Sequence, residues 1–325
     1  MDLDWEYPGQ TDRGSSPQDR KRFTYLCQEL SAAYKPQGLL VTAAVKASVD
    51  ATSVSYEVKE ISKALDFINL MTYDMYGSWD DYTGHNSNSN PNAFPHNVDL
   101  TVKTWIEKGA PANKLVLGLS TYGRNYRLAD QCEWYIGSEA RGAGESGKYT
   151  NSDGFLAYYE ICNVKWDNHM CTKSSSANAP YGSVGDNFIA YDDQESIAYK
   201  VNNIMKKYTM KGYMFWALDL DDFSGKSCNQ GRYPLMNAAK KASMGSPLNI
   251  ESCRNFDSCK ISTTTTKSPK IIKGQCKAAG QWKGNSGMNQ WCNLVQHCRI
   301  ACMKPCSSKA VCDVSISNVF YLFII

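Results

Sequence analysis

Asp2, Asp4 and Glu6 occupy alternate positions in the opening run of the chain, with Leu3 and Trp5 between them. Alternate side chains of an extended strand share a face, so the three carboxyls would line up at intervals of roughly 6.6 Å while Leu3 and Trp5 point the other way. On a barrel strand that face is the interior. Like charges gathered there share protons, and at least one of the three is expected to titrate above the ordinary carboxylate range. An acid still protonated near neutrality is what protonation of a glycosidic oxygen requires. A solvated acidic segment at a frayed terminus would show the same short pattern, so spacing alone leaves both readings open.

Elements able to position such a group recur along the chain. Strand-like apolar runs are the opening segment and residues 39–45, 67–73, 115–120 and 213–218, and helical patterns fall at 17–34, 97–108, 194–208 and 234–243. Strands alternating with helices predict a parallel α/β sheet. Polar and aromatic residues gather at the C-terminal ends of these strands (Thr72-Tyr73-Asp74, Thr121-Tyr122, Trp216 to Asp219), where (β/α) barrels carry their chemistry. The rhythm stops over about 126–188, which reads as an insertion walling the site. Residues 245–275 read as a Ser/Thr-rich linker, 276–312 as a cysteine-rich module, and 313–325 as an unassigned tail.

The chain has 325 residues, 42% hydrophobic and 21% charged, with a net charge of +3. That balance is globular, and its scattered Lys and Arg suggest neither a nucleic-acid nor a membrane surface. The apolar stretch 319–325 is far shorter than a membrane helix needs. Thirteen cysteines, six of them in 276–312, indicate disulfides made in an oxidising compartment. A zinc site is the competing reading of that cluster, but it has no CxxC pair and a single nearby histidine, His297. The odd total leaves one thiol over, and Cys27 is the candidate because Phe23, Leu26, Cys27 and Leu30 have the period of a buried helix face.

Asp2-Leu3-Asp4-Trp5-Glu6-Tyr7-Pro8 resembles the fourth-strand signature of family 18 glycoside hydrolases, the animal chitinases. The similarity continues, in order, through Asn69 to Asp74, Tyr76-Gly77-Ser78-Trp79, Thr83-Gly84-His85-Asn86, Leu117 to Arg124, Phe215 to Phe223, Cys228 to Gly231 and Tyr233-Pro234-Leu235. It implies strands 4–8 of a (β/α)8 TIM barrel over residues 1–244, an α+β insertion after strand 7, and a chain lacking strands 1–3 and its leader. A barrel that cannot close leaves unpaired edges, so the polypeptide from residue 1 is expected to be inactive and poorly soluble.

The resemblance implies hydrolysis of β-1,4-linked N-acetylglucosamine in chitin and chitooligosaccharides by substrate assistance, in a secreted monomer without metal or other cofactor. Glu6 would be the general acid and then base, Asp4 would hold the acetamide N–H, and Asp2 would share a proton with Asp4. Tyr73 would donate to the acetamide oxygen, and Trp216 would floor the cleaved sugar's subsite. Met71, Asp74, Tyr122, Arg124 and Met214 match positions around that subsite, and Trp79 an aromatic on the leaving-group side. His85 is assigned a structural role. Cys162 and Cys228 correspond to a family disulfide, and a second bridge, Cys132 to Cys171, is expected inside the insertion. The terminal segment resembles a chitin-binding module in which Trp282 and Trp291 either stack on chitin or form the module's small core. The rival functional readings are a chitinase-like lectin, whose relatives replace the acid at the position of Glu6, an inactive chitinase fragment, and a secreted structural protein.

Overall fold

The acidic run opens the first strand of a parallel sheet. The computed structural model describes residues 1–90, 96–249 and 253–259. Its first half alternates β1 (Asp2–Leu3), α1 (Asp19–Tyr34), β2 (Thr42–Lys46), α2 (Val49–Ser55), α3 (Val58–Ala64), β3 (Phe67–Met71), α4 (Val98–Glu107) and β4 (Leu115–Ser120). A second, antiparallel sheet follows, built from β5 (Tyr122–Leu128), β6 (Ala140–Ala143), β7 (Phe155–Ala157), β8 (Asn168–Met170), β9 (Tyr181–Val184) and β10 (Asn187–Ala190), with α5 (Tyr158–Ile161) between β7 and β8. The chain then returns through α6 (Gln194–Lys200), β11 (Gly212–Trp216) and α7 (Pro234–Ser243). The parallel sheet has the order β1-β2-β3-β4-β11, a TIM-barrel-like α/β arrangement with the insertion between its last two strands.

Local chemistry explains these elements. All six residues of β4 are buried, as expected of a parallel strand covered on both faces. Asn97 caps α4 by accepting from the Leu100 amide at 2.8 Å, and Pro234 supplies the first turn of α7. Phe23, Thr24, Cys27 and Ser31 form the buried face of α1, and the Cys27 thiol, unbonded to another cysteine, is pushed up to about 12 by burial. Phe23, Tyr56 and Trp105 stack edgewise and tilted in the layer between helices and sheet. Gly118 must lack a side chain, because a Cβ there would collide with the Leu70 carbonyl oxygen on the neighbouring strand. The helix expected over 194–208 is α-helical to Lys200 and winds on as π turns over Val201–Met205.

The cysteines correct two expectations. Cys132 and Cys171 do not pair with each other: Cys132 bonds Cys259 and Cys171 bonds Cys253, while Cys162 bonds Cys228. The stretch expected to be a linker from residue 245 therefore contributes, at 253–259, a strand of the insertion: β12 (Phe256–Asp257) pairs antiparallel with β8. The low apolar content of 245–275 was a poor guide, because two disulfides supply the attachment that a core would otherwise provide. The insertion's strands also begin earlier than 126 and end later than 188, at Tyr122 and Ala190. Trp282, Trp291 and the cysteine-rich segment lie outside the described residues.

Non-reducing peptide mapping is expected to recover Cys132–Cys259 and Cys171–Cys253 as linked peptides; a Cys132–Cys171 peptide would contradict this arrangement. Replacing Cys253 by Ser opens a crosslink spanning 82 residues and should cost about 2–4 kcal/mol in denaturant unfolding.

Candidate active site

The C-terminal ends of β3, β4 and β11 and the opening strand converge on one rim. Met71, Tyr73 and Tyr122 form a buried cluster there, with Tyr7, Ala44, Phe155, Met214 and Leu220 packed against it. The Tyr73 hydroxyl lies 3.9 Å from the Met214 sulfur. Burial raises the Tyr73 phenol well above its ordinary value, and Asp74, Asp4, Glu6 and Asp2 push it the same way. The tyrosine thus stands within electrostatic reach of all three acids of the opening run.

Those acids keep the alternation read from the sequence, since Asp2, Asp4 and Glu6 are exposed while Leu3 and Trp5 are half-buried. Their expected burial is not observed. The parallel ladder ends at Leu3, and among the described residues β1 has a neighbouring strand on one side only, so water reaches the carboxyls. Asp2 accepts from the Thr42 hydroxyl at 2.5 Å and faces the Asn69 amide at 3.3 Å. Asp4 is nevertheless held above the usual carboxylate range, first by partial burial and then by Glu6 and Asp2.

Asp74 sits next to Tyr73 with a left-handed backbone (φ 55°), its amide donating to the Asn86 side-chain oxygen at 2.9 Å. One Asp74 oxygen accepts from the Tyr122 hydroxyl at 2.7 Å and from Arg124 at 2.7 and 2.8 Å. The Arg124 guanidinium lies between rings: 5.1 Å from Trp79, 5.3 Å from Phe155 and 5.4 Å from Tyr122. Tyr122 and Phe155 stack at 4.7 Å, so the insertion supplies a wall of this site. Trp79 is 59% exposed and Trp216 53% exposed, open enough to offer indole surface to a ligand rather than to fill a core. Trp216 is fixed by its backbone, its carbonyl accepting from the Thr121 amide at 3.0 Å.

Behind the rim lies an ion pair that sequence reasoning did not single out. Lys200 and Asp192 are both 0% exposed and meet at 2.6 and 2.7 Å. Lys200 also donates to Ser87, whose hydroxyl donates to the Thr72 carbonyl, and Asp192 accepts from Ser120 and Ser196. Lys200 sharing an apolar helix face with Ile197 and Ile204 was the available signal. His85 is buried in the same loop, its Nδ1 accepting from the Ser87 amide at 3.1 Å and its Nε2 facing the Pro180 carbonyl at 3.2 Å. Burial lowers its pKa to about 4. His169 faces the Cys171–Cys253 bridge, 3.6 Å from the Cys253 sulfur, but both sulfurs are committed to their disulfide.

The rim thus brings together a carboxylate run, a buried tyrosine and two exposed indoles. Residues 1–221 match the glycosyl hydrolases family 18, and the chain belongs to that family. It is 41% identical over 254 residues to mouse chitotriosidase-1, a match covering 74% of this chain and 53% of that protein. The chain therefore spans about half the length of that relative. The structure of Ostrinia furnacalis Group IV chitinase in complex with allosamidin superposes with a TM-score of 0.71 at 34% identity, covering 76% of this chain and 68% of that one. Human YKL-39, described as a pseudo-chitinase with retained chitooligosaccharide binding properties, superposes at 0.69 with 39% identity, covering 75% and 68%.

Lys200→Met leaves Asp192 buried without its countercharge and should destabilise the protein by about 3–5 kcal/mol in denaturant titration; replacing both partners by apolar residues should restore most of that. His85 is neutral when folded, so between pH 6.5 and about 4 the unfolded chain binds a proton that the folded chain excludes. Stability contributed by this group is complete above pH 6.5 and falls by about 3 kcal/mol down to about pH 4. His85→Asn should flatten that stretch of the stability–pH curve.

Proposed function

We propose that these residues belong to the catalytic unit of a protein that hydrolyses β-1,4 linkages between N-acetylglucosamine units in chitin and chitooligosaccharides, with retention and by substrate assistance. Residues 1–244 are read as a catalytic domain carrying strands 4–8 of the family's barrel. The observation that carries the proposal is that the Tyr73 phenol, buried beside Met214, lies within electrostatic reach of Asp74, Asp4, Glu6 and Asp2. A phenol that burial keeps protonated is a fixed donor, suited to hold the substrate's acetamide oxygen against the anomeric carbon. Glu6, open to the cleft, protonates the leaving oxygen and then takes a proton from water. Asp4, held above the usual carboxylate range, hydrogen-bonds the acetamide N–H as positive charge develops on the ring formed there. Asp2, oriented by Thr42 and Asn69, supports Asp4.

Trp216 offers an apolar indole face to the sugar, Met71 and Met214 back it, and Trp79 extends the aromatic lining beside Arg124. Arg124 and Tyr122 hold Asp74, which faces the same rim. The three disulfides fit a secreted protein, and no described helix is long and apolar enough to cross a membrane. The chain is read as a monomer that needs no cofactor. A lectin that binds without cutting is the second reading, favoured by the likeness to YKL-39; retention of the acid Glu6 argues for turnover.

Glu6→Gln should lower the turnover of chitooligosaccharides by about 10²–10⁴-fold while leaving their binding intact; unchanged hydrolysis would overturn the assignment. Tyr73→Phe should cost about 10²–10³-fold in kcat with a small change in KM.

A further inference from the structure

The strand β2 carries a lysine on the cleft face, beside the ring of the residue that follows Glu6. Asp2 pairs with Thr42 and Leu3 with Ala43, and the hydrogen bond from Thr42 to Asp2 shows that these two side chains share the cleft face. The ladder ends at Leu3, but alternation along β2 keeps Ala44, which packs against the cleft cluster, and then Lys46 on the face that Thr42 shares with Asp2. On its other side Lys46 is the register partner of Met71, a residue of the cleft cluster. Its ammonium is pinned, donating to the Gln10 side-chain oxygen at 3.0 Å and lying 4.8 Å from the centre of the Tyr7 ring, which also carries the Arg13 guanidinium at 5.7 Å. Burial and Arg13 disfavour its charge, while Asp12 and Glu6 favour it, so the ammonium is within the field of the acid.

We propose that Lys46 is a specificity-determining residue that disfavours the binding of N-deacetylated, cationic sugars in the cleft beside Glu6. The inference rests on the reading of Glu6 as the acid of a chitin-cleaving cleft. N-acetylglucosamine is neutral, and Lys46 imposes no charge penalty on it. Glucosamine carries an ammonium in mildly acidic solution, and a fixed ammonium on the same face repels it. Asp2, Asp4 and Glu6 attract the same cation. Lys46 offsets part of that attraction, so its removal shifts the balance toward the cationic sugar. Such a residue acts as a filter against one substrate class rather than as a proton donor.

The test uses the intact protein and its Lys46→Met and Lys46→Arg variants. The ratio of kcat/KM for partially N-deacetylated chitosan to that for fully N-acetylated hexamer should rise about tenfold in K46M, with the acetylated hexamer nearly unaffected. K46R should keep the wild-type ratio, and added salt should narrow the gap between wild type and K46M. An unchanged ratio, or a parallel fall on both substrates, would overturn the proposal. Equilibrium binding of the glucosamine and N-acetylglucosamine hexamers makes the same comparison without turnover. A gain in K46M for the glucosamine hexamer alone supports the filter even where cleavage is absent, whereas equal affinities in wild type and K46M reject it. Loss of hydrolysis with binding intact strikes the catalytic reading alone.

Discussion

The buried pair of Lys200 and Asp192 ties together three segments that the site requires. Through Ser87 it reaches the carbonyl of Thr72, the residue before Tyr73, and through Ser120 it reaches the end of β4, two residues before Tyr122. Charges at 0% exposure are costly unless every donor and acceptor is matched. Here the ammonium has three partner oxygens, and the carboxylate receives the ammonium and two hydroxyls. Such a network has one satisfied arrangement, and that arrangement fixes the ends of β3 and β4 relative to α6. The cleft cluster of Met71, Tyr73 and Tyr122 is built directly on those ends.

In front of that support the electrostatics divide by depth. Tyr73 and Tyr122 are buried and stay protonated, so they are permanent donors. The acids of the opening run stand in water, and partial burial with the neighbouring carboxylates holds Asp4 above the ordinary range. Asp74 has its charge balanced by Arg124, itself packed against Trp79, Tyr122 and Phe155. The insertion thereby acts on the site through a cation and an aromatic stack rather than merely covering it.

Periodicity revealed the elements whose burial is local. The fully buried β4 and the helix α7, with proline at its start, fall where the pattern puts them. The alternation of Asp2, Asp4 and Glu6 was legible for the same reason. Their exposure was not, because it depends on which strands flank β1, and no side-chain pattern within the run encodes that. Cysteine pairing was illegible on similar grounds, since Cys132 and Cys259 lie 127 residues apart and spacing does not specify partners. Lys200 escaped notice because a lysine within an apolar period reads as a break in the stripe until its buried partner is seen.

In the proposed reaction the substrate's acetamide, held by Tyr73 and Asp4, attacks its own anomeric carbon while Glu6 protonates the leaving oxygen. Two inversions at that carbon leave its configuration unchanged, whereas direct attack by water inverts it. Proton NMR of the reducing ends formed during the first turnovers of chitohexaose reads this before mutarotation obscures it. The account predicts the β-anomer as the initial product; the α-anomer would contradict it.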